Sequence, residues 1–192
     1  MTVILASSSP RRRALLRAMG IPHRVRHAGV DEHCAIPGGA RQLVRANARL
    51  KAEAVARRLR QGVVLGADTI VVLRGRILGK PADFAEAVAM LTRLGGRTHT
   101  VYTGVCVVDV AKRREWVSSA ATRVTLRTLS RRAIEAYVRR TKPYDKAGAY
   151  AVQDPRVVLV DRIQGSLSNV IGLPAHLVEQ GLRWAGMRHA GG

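Results

Sequence analysis

Asp68 is a lone carboxylate inside Val63-Val64-Leu65-Gly66-Ala67-Asp68-Thr69-Ile70-Val71-Val72-Leu73, a run that is otherwise almost entirely apolar. An ionised carboxylate buried there is costly unless a cation, a metal or several donors satisfy it. A structural salt bridge or a strand-end aspartate meets that demand; so does a metal ligand or a general base at the edge of a cleft. A second group is Ala6-Ser7-Ser8-Ser9-Pro10-Arg11-Arg12-Arg13. A strand that ends in small hydroxyl residues and opens a helix presents backbone N–H groups and the positive end of the helix dipole. Its arginines can hold phosphate oxygens in bidentate fashion. An ordinary Ser-Pro helix cap with surface arginines fits the same residues. The third group is a set of lysines, of which the chain has only 5 against 28 Arg. Lys51, Lys80 and Lys146 fall in apolar, glycine or proline surroundings, and Leu78-Gly79-Lys80-Pro81 and Asp145-Lys146-Ala147-Gly148 read as tight loops presenting a compact ammonium.

Other chemistries find less support. His23, His27, His33 and Cys34 match no strong metal-site spacing and no cysteine pair backs them, so they read as surface loop residues. His99 reads as a hydrogen-bonded structural histidine. No Gly-x-x-x-x-Gly-Lys sequence is present, which excludes a P-loop, and there is no nucleophile elbow for serine hydrolysis. The 33 Lys+Arg against 13 Asp+Glu give a net charge of +20. That balance suits a polyanion, either nucleic acid or a phosphorylated small molecule. Arginines scattered by an Arg-favouring composition over a solvated surface account for most of it equally well. No alternation of aromatic and basic residues of the kind that stacks bases is present.

With 192 residues and 47% hydrophobic content, the chain has enough for a real core in a single domain spanning 1–192, and is no disordered basic tail. No apolar run reaches the ~18 residues of a membrane span, and Met1 to Ser9 lacks the pattern of a signal peptide. Cys34 and Cys106 make no disulfide framework. A soluble, cytoplasmic protein is expected.

The elements that must position these groups follow in order. Thr2 to Ala6 reads as a short buried strand, and Ser9 caps a helix that begins at Pro10 and stops at Gly20. Arg41 to Arg60 is the longest helical stretch, with an apolar stripe through Leu43, Val44, Leu50, Ala54 and Val55 and Lys51 at its edge. Val63 to Leu73 is a strand, with a turn at Arg74-Gly75-Arg76 leading to Ile77-Leu78. Asp83 with Glu86 is a capping-box variant for a helix that Gly95-Gly96 closes. His99 to Val110 and Trp116 to Leu126 read as antiparallel strands; Ser130 caps a helix to about Arg140, with Leu129 and Ile134 as a staple. A strand over 157–163 and a helix from Pro174 to Trp184 complete a mixed α/β order.

Taken together, these pieces resemble the Maf family of nucleotide pyrophosphatases, also called septum-formation inhibitor-like proteins. The matching stretches are Ala6 to Arg13, Asp31-Glu32, Lys51-Ala52, Gly66-Ala67-Asp68-Thr69, Leu78 to Pro81, His99 to Gly104, Asp145 to Tyr150, Gln153, and Asn169 to Pro174. They stand in family order over nearly the whole chain. The resemblance implies a mixed, curved sheet flanked by helices, two lobes with a central cleft, as in the Maf and ITPase-like folds. It implies hydrolysis of a nucleoside triphosphate to the monophosphate and pyrophosphate, with a divalent metal cation such as Mg²⁺, Mn²⁺ or Co²⁺. By motif position Asp68 is the proton acceptor; Arg11, Thr69 and Gln153 tune the base; Ser7, Arg12, Glu32, Lys51 and Lys80 handle phosphates and metal, with Glu32 and Asp68 as metal ligands. The Gln153 type is similar to the branch acting on dTTP and UTP, in a role of nucleotide-pool sanitation. Lys142 and Asp154 depart from the family's usual Glu and Gly. The expected partner is the nucleotide, with no membrane and no nucleic acid, and a homodimer left open. The competing class is a non-catalytic nucleic-acid-binding or cell-division regulatory protein.

Overall fold

The apolar start of the chain forms β1 (Val3–Leu5), which in this computed structural model pairs in parallel with both β2 (His23–Val25) and β3 (Val63–Leu73). Residues 2–152 and 159–187 are described. Parallel neighbours need a crossover, and α1 (Pro10–Ala18) and α2 (Gly39–Ala56) supply the two. The far half of β3 turns back antiparallel as β4 (Arg76–Leu78), through Arg74 and Gly75 at φ 49° and 78°. Left-handed conformations at both central residues give a hairpin turn that matches strand twist. Then follow α3 (Phe84–Leu94), β5 (Thr98–Asp109), β6 (Arg114–Leu126), α4 (Arg131–Thr141), β7 (Val160–Gln164), α5 (Leu167–Ile171) and α6 (Ala175–Trp184). The strand order is β2-β1-β3-β5-β6-β7 with β4 on β3, and β6 pairs antiparallel with β7. The sheet is mixed and accompanied by helices, as the sequence indicates.

Two expectations need correction. His23 lies in strand β2 rather than a surface loop; three residues at a sheet edge, held by backbone bonds to β1, leave no hydrophobic period to read. The buried stripe of α2 runs through Leu43, Val44, Asn47, Ala48, Lys51, Ala52, Val55 and Ala56, so Lys51 is inside it, while Leu50 and Ala54 are half-buried. The helix caps read from sequence are present: Ser9 accepts from Arg12 N, Asp83 from Glu86 N and Ser130 from Ala133 N. The strand expected over 157–163 is seen from Val160; positions 157 and 158 lie outside the described residues.

The chain forms two compact units, the first of Met1–Asp68, Thr103–Ala120 and Gly172–Gly192, the second of Thr69–Tyr102 and Ala121–Ile171. In the first, the period of two along each strand sorts side chains between two apolar clusters. Val3, Leu5, Leu65, Ala67, Val105 and Val107 join Leu16 and Leu182 on one side. Val64 and Cys106 join Ala48, Ala52 and Val55 of α2 on the other. Gly66, Asp68 and Gly104 share the parity of that second side. In the second unit, α3 and α4 pack with Val71, Val101, Val124 and Leu159. There His99 Nε2 lies 2.7 Å from Tyr150 Oη, and burial pushes the imidazole down to about 4, so it is neutral at physiological pH. Asn169 donates to Val101 O at 3.0 Å and Thr122 Oγ1 at 2.9 Å. His99, Tyr150 and Asn169 thus serve the interior.

The scarce acidic residues are mostly committed to local structure. Glu53 and Glu115 hold Arg49, Glu135 holds Arg131, and Asp109 faces Lys112 and Arg114. Glu86 accepts from Ala82 N at 2.7 Å, reaching back across the cap of α3.

Helix α2 lies against the strands through glycines. A Cβ on Gly66 would collide with Ala48 O and come within 2.8 Å of Ala52 N; one on Gly104 would collide with Val44 O and come within 2.8 Å of Arg45 N. These are backbone atoms that no rotamer change can move aside. Gly104→Ala is therefore expected to destabilise the protein by about 2–3 kcal/mol through overpacking, read as a lowered midpoint in urea unfolding. An unchanged midpoint would show that α2 slides outward at no cost.

Candidate active site

Asp68 faces α2 because it continues the parity of Val64 and Gly66, and the missing Cβ of Gly66 lets the helix backbone come close to the strand. Asp68 is only 4% exposed. From α2 come Asn47 and Lys51, one turn apart on the buried face. Lys51 Nζ donates to Asp68 Oδ1 at 2.8 Å, to Glu32 Oε1 at 2.8 Å and to Ala67 O at 3.5 Å. An ammonium has three donors, and three acceptors surround it. Asn47 Nδ2 donates to Asp68 Oδ2 at 3.2 Å.

The turn from β1 into α1 contributes the remaining groups. Arg12 is buried; its Nε donates to Gly172 O at 2.8 Å and its Nη1 to Ser7 Oγ at 3.1 Å, and Ser9 N also donates to Ser7 Oγ. The guanidinium feels both Asp68 and Glu32: burial lowers its pKa, and the two carboxylates partly oppose that. It remains a cation at any physiological pH. For Asp68 the balance runs the other way. Burial raises its carboxyl, but Lys51 by charge and hydrogen bond, then Arg12, outweigh burial and hold it below the ordinary carboxylate range. Asp68 is thus a buried, ionised group.

Of the expected site residues, Ser7, Arg12, Glu32, Lys51 and Asp68 come together in the first unit. Arg11 is the half-buried second residue of α1. Thr69 follows Asp68 on the opposite face of β3. Lys80 is exposed in the second unit, just after β4, and Gly148 N donates to Gly79 O at 3.0 Å, tying the loops of Lys80 and Lys146 to each other. Gln153 lies outside the described residues. Lys51, expected on phosphate or metal, is engaged with two carboxylates. Sequence reasoning passed over Asn47, although a polar amide four residues before Lys51 on a buried helix face was a visible signal.

A divalent cation suits the donor set. Glu32 and Asp68 offer carboxylate oxygens that share one ammonium, and Glu32, with a side chain 45% exposed, opens that pair to solvent. Among the described residues no group of three or more His, Cys, Asp or Glu converges on a point. Two carboxylates completed by water and phosphate oxygens is how Mg²⁺ is commonly held.

The model of the Maf-like protein family matches residues 2–185, and the chain belongs to that family. The dTTP/UTP pyrophosphatase of Pelotomaculum thermopropionicum is 48% identical over 174 residues, covering 90% of each chain. That of Moorella thermoacetica is 49% identical over 180 residues, covering 93% of this chain and 92% of its own. The Staphylococcus aureus Ham1 protein, a solved structure, is a looser likeness at TM-score 0.46 and 17% identity, covering 66% of this chain and 72% of its own.

Removing Lys51 strands Asp68. A carboxyl held below its unfolded value contributes stability above that value and loses it as pH falls through the folded one. Lys51→Met raises the Asp68 pKa, so the variant is expected to be about 3 kcal/mol less stable than the parent at pH 7. The deficit shrinks toward pH 5, where Asp68 in the variant takes up a proton and the parent's stays ionised. Unfolding midpoints of both proteins at the two pH values test this; a deficit independent of pH would mean the ion pair does not set it.

Proposed function

We propose that this protein hydrolyses nucleoside triphosphates to the monophosphate and pyrophosphate, with dTTP and UTP as the favoured substrates. The observation that carries the reading is a buried, ionised Asp68 flanked by Lys51, Arg12 and Glu32 beside the N-terminal turn of α1. Relatives of 48% and 49% identity over at least 90% of both chains bear the name dTTP/UTP pyrophosphatase, which supports both the reaction and the bases.

In this reading the triphosphate meets Arg12, Ser7 and the first turn of α1, whose dipole and N–H groups favour phosphate. Glu32 and Asp68 would hold a divalent metal. When bound, that metal neutralises charge on the phosphates and lowers the pKa of nearby water. Asp68 orients a water toward the α-phosphorus and accepts its proton; a bond forms from the water oxygen to that phosphorus, and the bond to the bridging oxygen breaks. Pyrophosphate departs and the monophosphate remains. Lys51 keeps Asp68 ionised at neutral pH, so the carboxylate is free to accept a proton, as a weaker base than an ordinary carboxylate. The side-chain amide of Gln153 offers one donor and one acceptor, matching the N3–H and O4 edge shared by uracil and thymine. A nucleoside triphosphate substrate supports work in the cytoplasmic nucleotide pool.

Asp68→Asn keeps the shape and removes the proton acceptor, so hydrolysis is expected to fall by about 10²–10⁴-fold while circular dichroism stays unchanged. Retention of more than a tenth of the rate would remove Asp68 from the role of base. The bond is tested separately, by resolving products from a nucleotide panel with Mg²⁺ or Mn²⁺. UMP or dTMP with pyrophosphate is expected, and chelation should stop the reaction. A nucleoside diphosphate with orthophosphate would overturn the mechanism, and a purine preference would overturn the base assignment alone.

A further inference from the structure

Residues 26–38 connect β2 to α2 with no helix or strand of their own, yet Glu32 within them must meet Lys51 at a fixed place. Lys51 holds the Glu32 side chain, and the main chain of the stretch is bonded to the helix by Asn47. Its Oδ1 accepts from His33 N at 2.8 Å and its Nδ2 donates to His33 O at 3.0 Å, so one amide clasps both main-chain groups of one residue. The same Nδ2 donates its second hydrogen to Asp68 Oδ2 at 3.2 Å. The orientation of the amide is not arbitrary. A carboxylate and a carbonyl only accept and a backbone N–H only donates, so the flipped amide would lose all three bonds. Asn47 is 2% exposed, in a position where an apolar residue would suit the neighbouring Val44, Ala48 and Val55. A buried polar group there is tolerated because it is fully satisfied.

We propose that Asn47 is a positioning residue for the hydrolytic reaction: it locks the main chain beside Glu32 to the helix that carries Lys51 while fixing the second oxygen of Asp68. This rests on the reading of Asp68 and Glu32 given above. Asp68 is then gripped on both oxygens from one helix, Oδ1 by Lys51 and Oδ2 by Asn47, so the carboxylate plane cannot rotate about its last torsion. Glu32, one residue from the clasp, is held within reach of the same ammonium. The distance between the two carboxylates is thereby set by α2 and not by the loop. Asn47 bonds His33 and Asp68, the groups read here as acting in the chemical step, so its loss should act on turnover more than on substrate capture.

The test compares Asn47→Leu and Asn47→Asp with the parent and with Asp68→Asn. Leucine matches the volume and the apolar surroundings, and removes all three hydrogen bonds. Aspartate keeps an acceptor for His33 N–H but turns an oxygen toward Asp68, so it preserves part of the clasp and none of the grip on the carboxylate. For Asn47→Leu we expect kcat to fall about 10- to 100-fold, in keeping with the cost of a displacement of about 1 Å. KM for UTP or dTTP should stay within about threefold. In the metal-free protein the His33 amide should exchange hydrogen faster, while core strand amides keep their protection. Asn47→Asp should lose at least as much kcat with the His33 amide less affected. A kcat within twofold of the parent in either folded variant would overturn the proposal. So would a rise in KM at constant kcat, which would make Asn47 a binding residue, or faster exchange at His33 without loss of turnover. Asn47→Leu placed in Asp68→Asn should add no further loss if it acts through Asp68; an additive loss would overturn the coupling. If Asp68→Asn itself stays active, the role of Asp68 as base fails on its own, whatever the Asn47 variants do.

Discussion

A charge inside a sheet is the constraint around which the first unit is organised. Asp68 belongs to a strand whose other residues could pack as hydrocarbon, and its ionised form survives there only because Lys51, Asn47 and Arg12 surround it. Each of those partners must in turn be brought close. Lys51 and Asn47 arrive on α2, and α2 can lie near enough because Gly66 and Gly104 have no side chains to hold it off. Arg12 arrives on α1, steadied by Gly172 O from the far end of the sequence. Glycine in two strands, a lysine buried in a helix and an arginine bonded across the chain are separate oddities in the sequence and one requirement in the structure.

The same arrangement gives the site its chemistry. A buried ion pair contributes little to stability, since desolvation of both charges offsets their attraction. In the function proposed above, its value lies in keeping a carboxylate ionised and oriented beside the groups that would meet the triphosphate. The hydrogen bonds to its two oxygens come from neighbouring turns of one helix, so the carboxylate is as rigid as the helix itself. Preorganisation of that kind is what a reaction dominated by positioning and charge neutralisation needs.

Much of this was legible in the sequence, for local reasons. The limits of β3 follow from the apolar run, and the caps at Ser9, Asp83 and Ser130 follow from residue type and spacing. The importance of Asp68 follows from the cost of burying a charge. What the sequence concealed is non-local. Nothing in its neighbours says that Lys51 bonds Glu32 and Asp68, which lie 19 residues before and 17 after it in the numbering. Nothing says that Arg12 reaches Gly172, 160 residues away. β2 escaped because an edge strand of His, Arg and Val needs only backbone partners. Asn47 escaped because a polar residue on a helix reads as solvent-facing until its partners are seen.

The engagement of the acidic residues has a consequence for how ligands arrive. With Glu53, Glu115, Glu135 and Asp109 tied to neighbouring cations, and a net charge of +20, long-range attraction acts on every polyanion alike. Encounter with a triphosphate is therefore fast at low ionic strength and slows as salt screens the surface beyond a Debye length of about 8–10 Å. Other anions are drawn in by the same field, the departing pyrophosphate among them. In the proposed reading, discrimination begins only after contact, at a few fixed groups around one buried carboxylate.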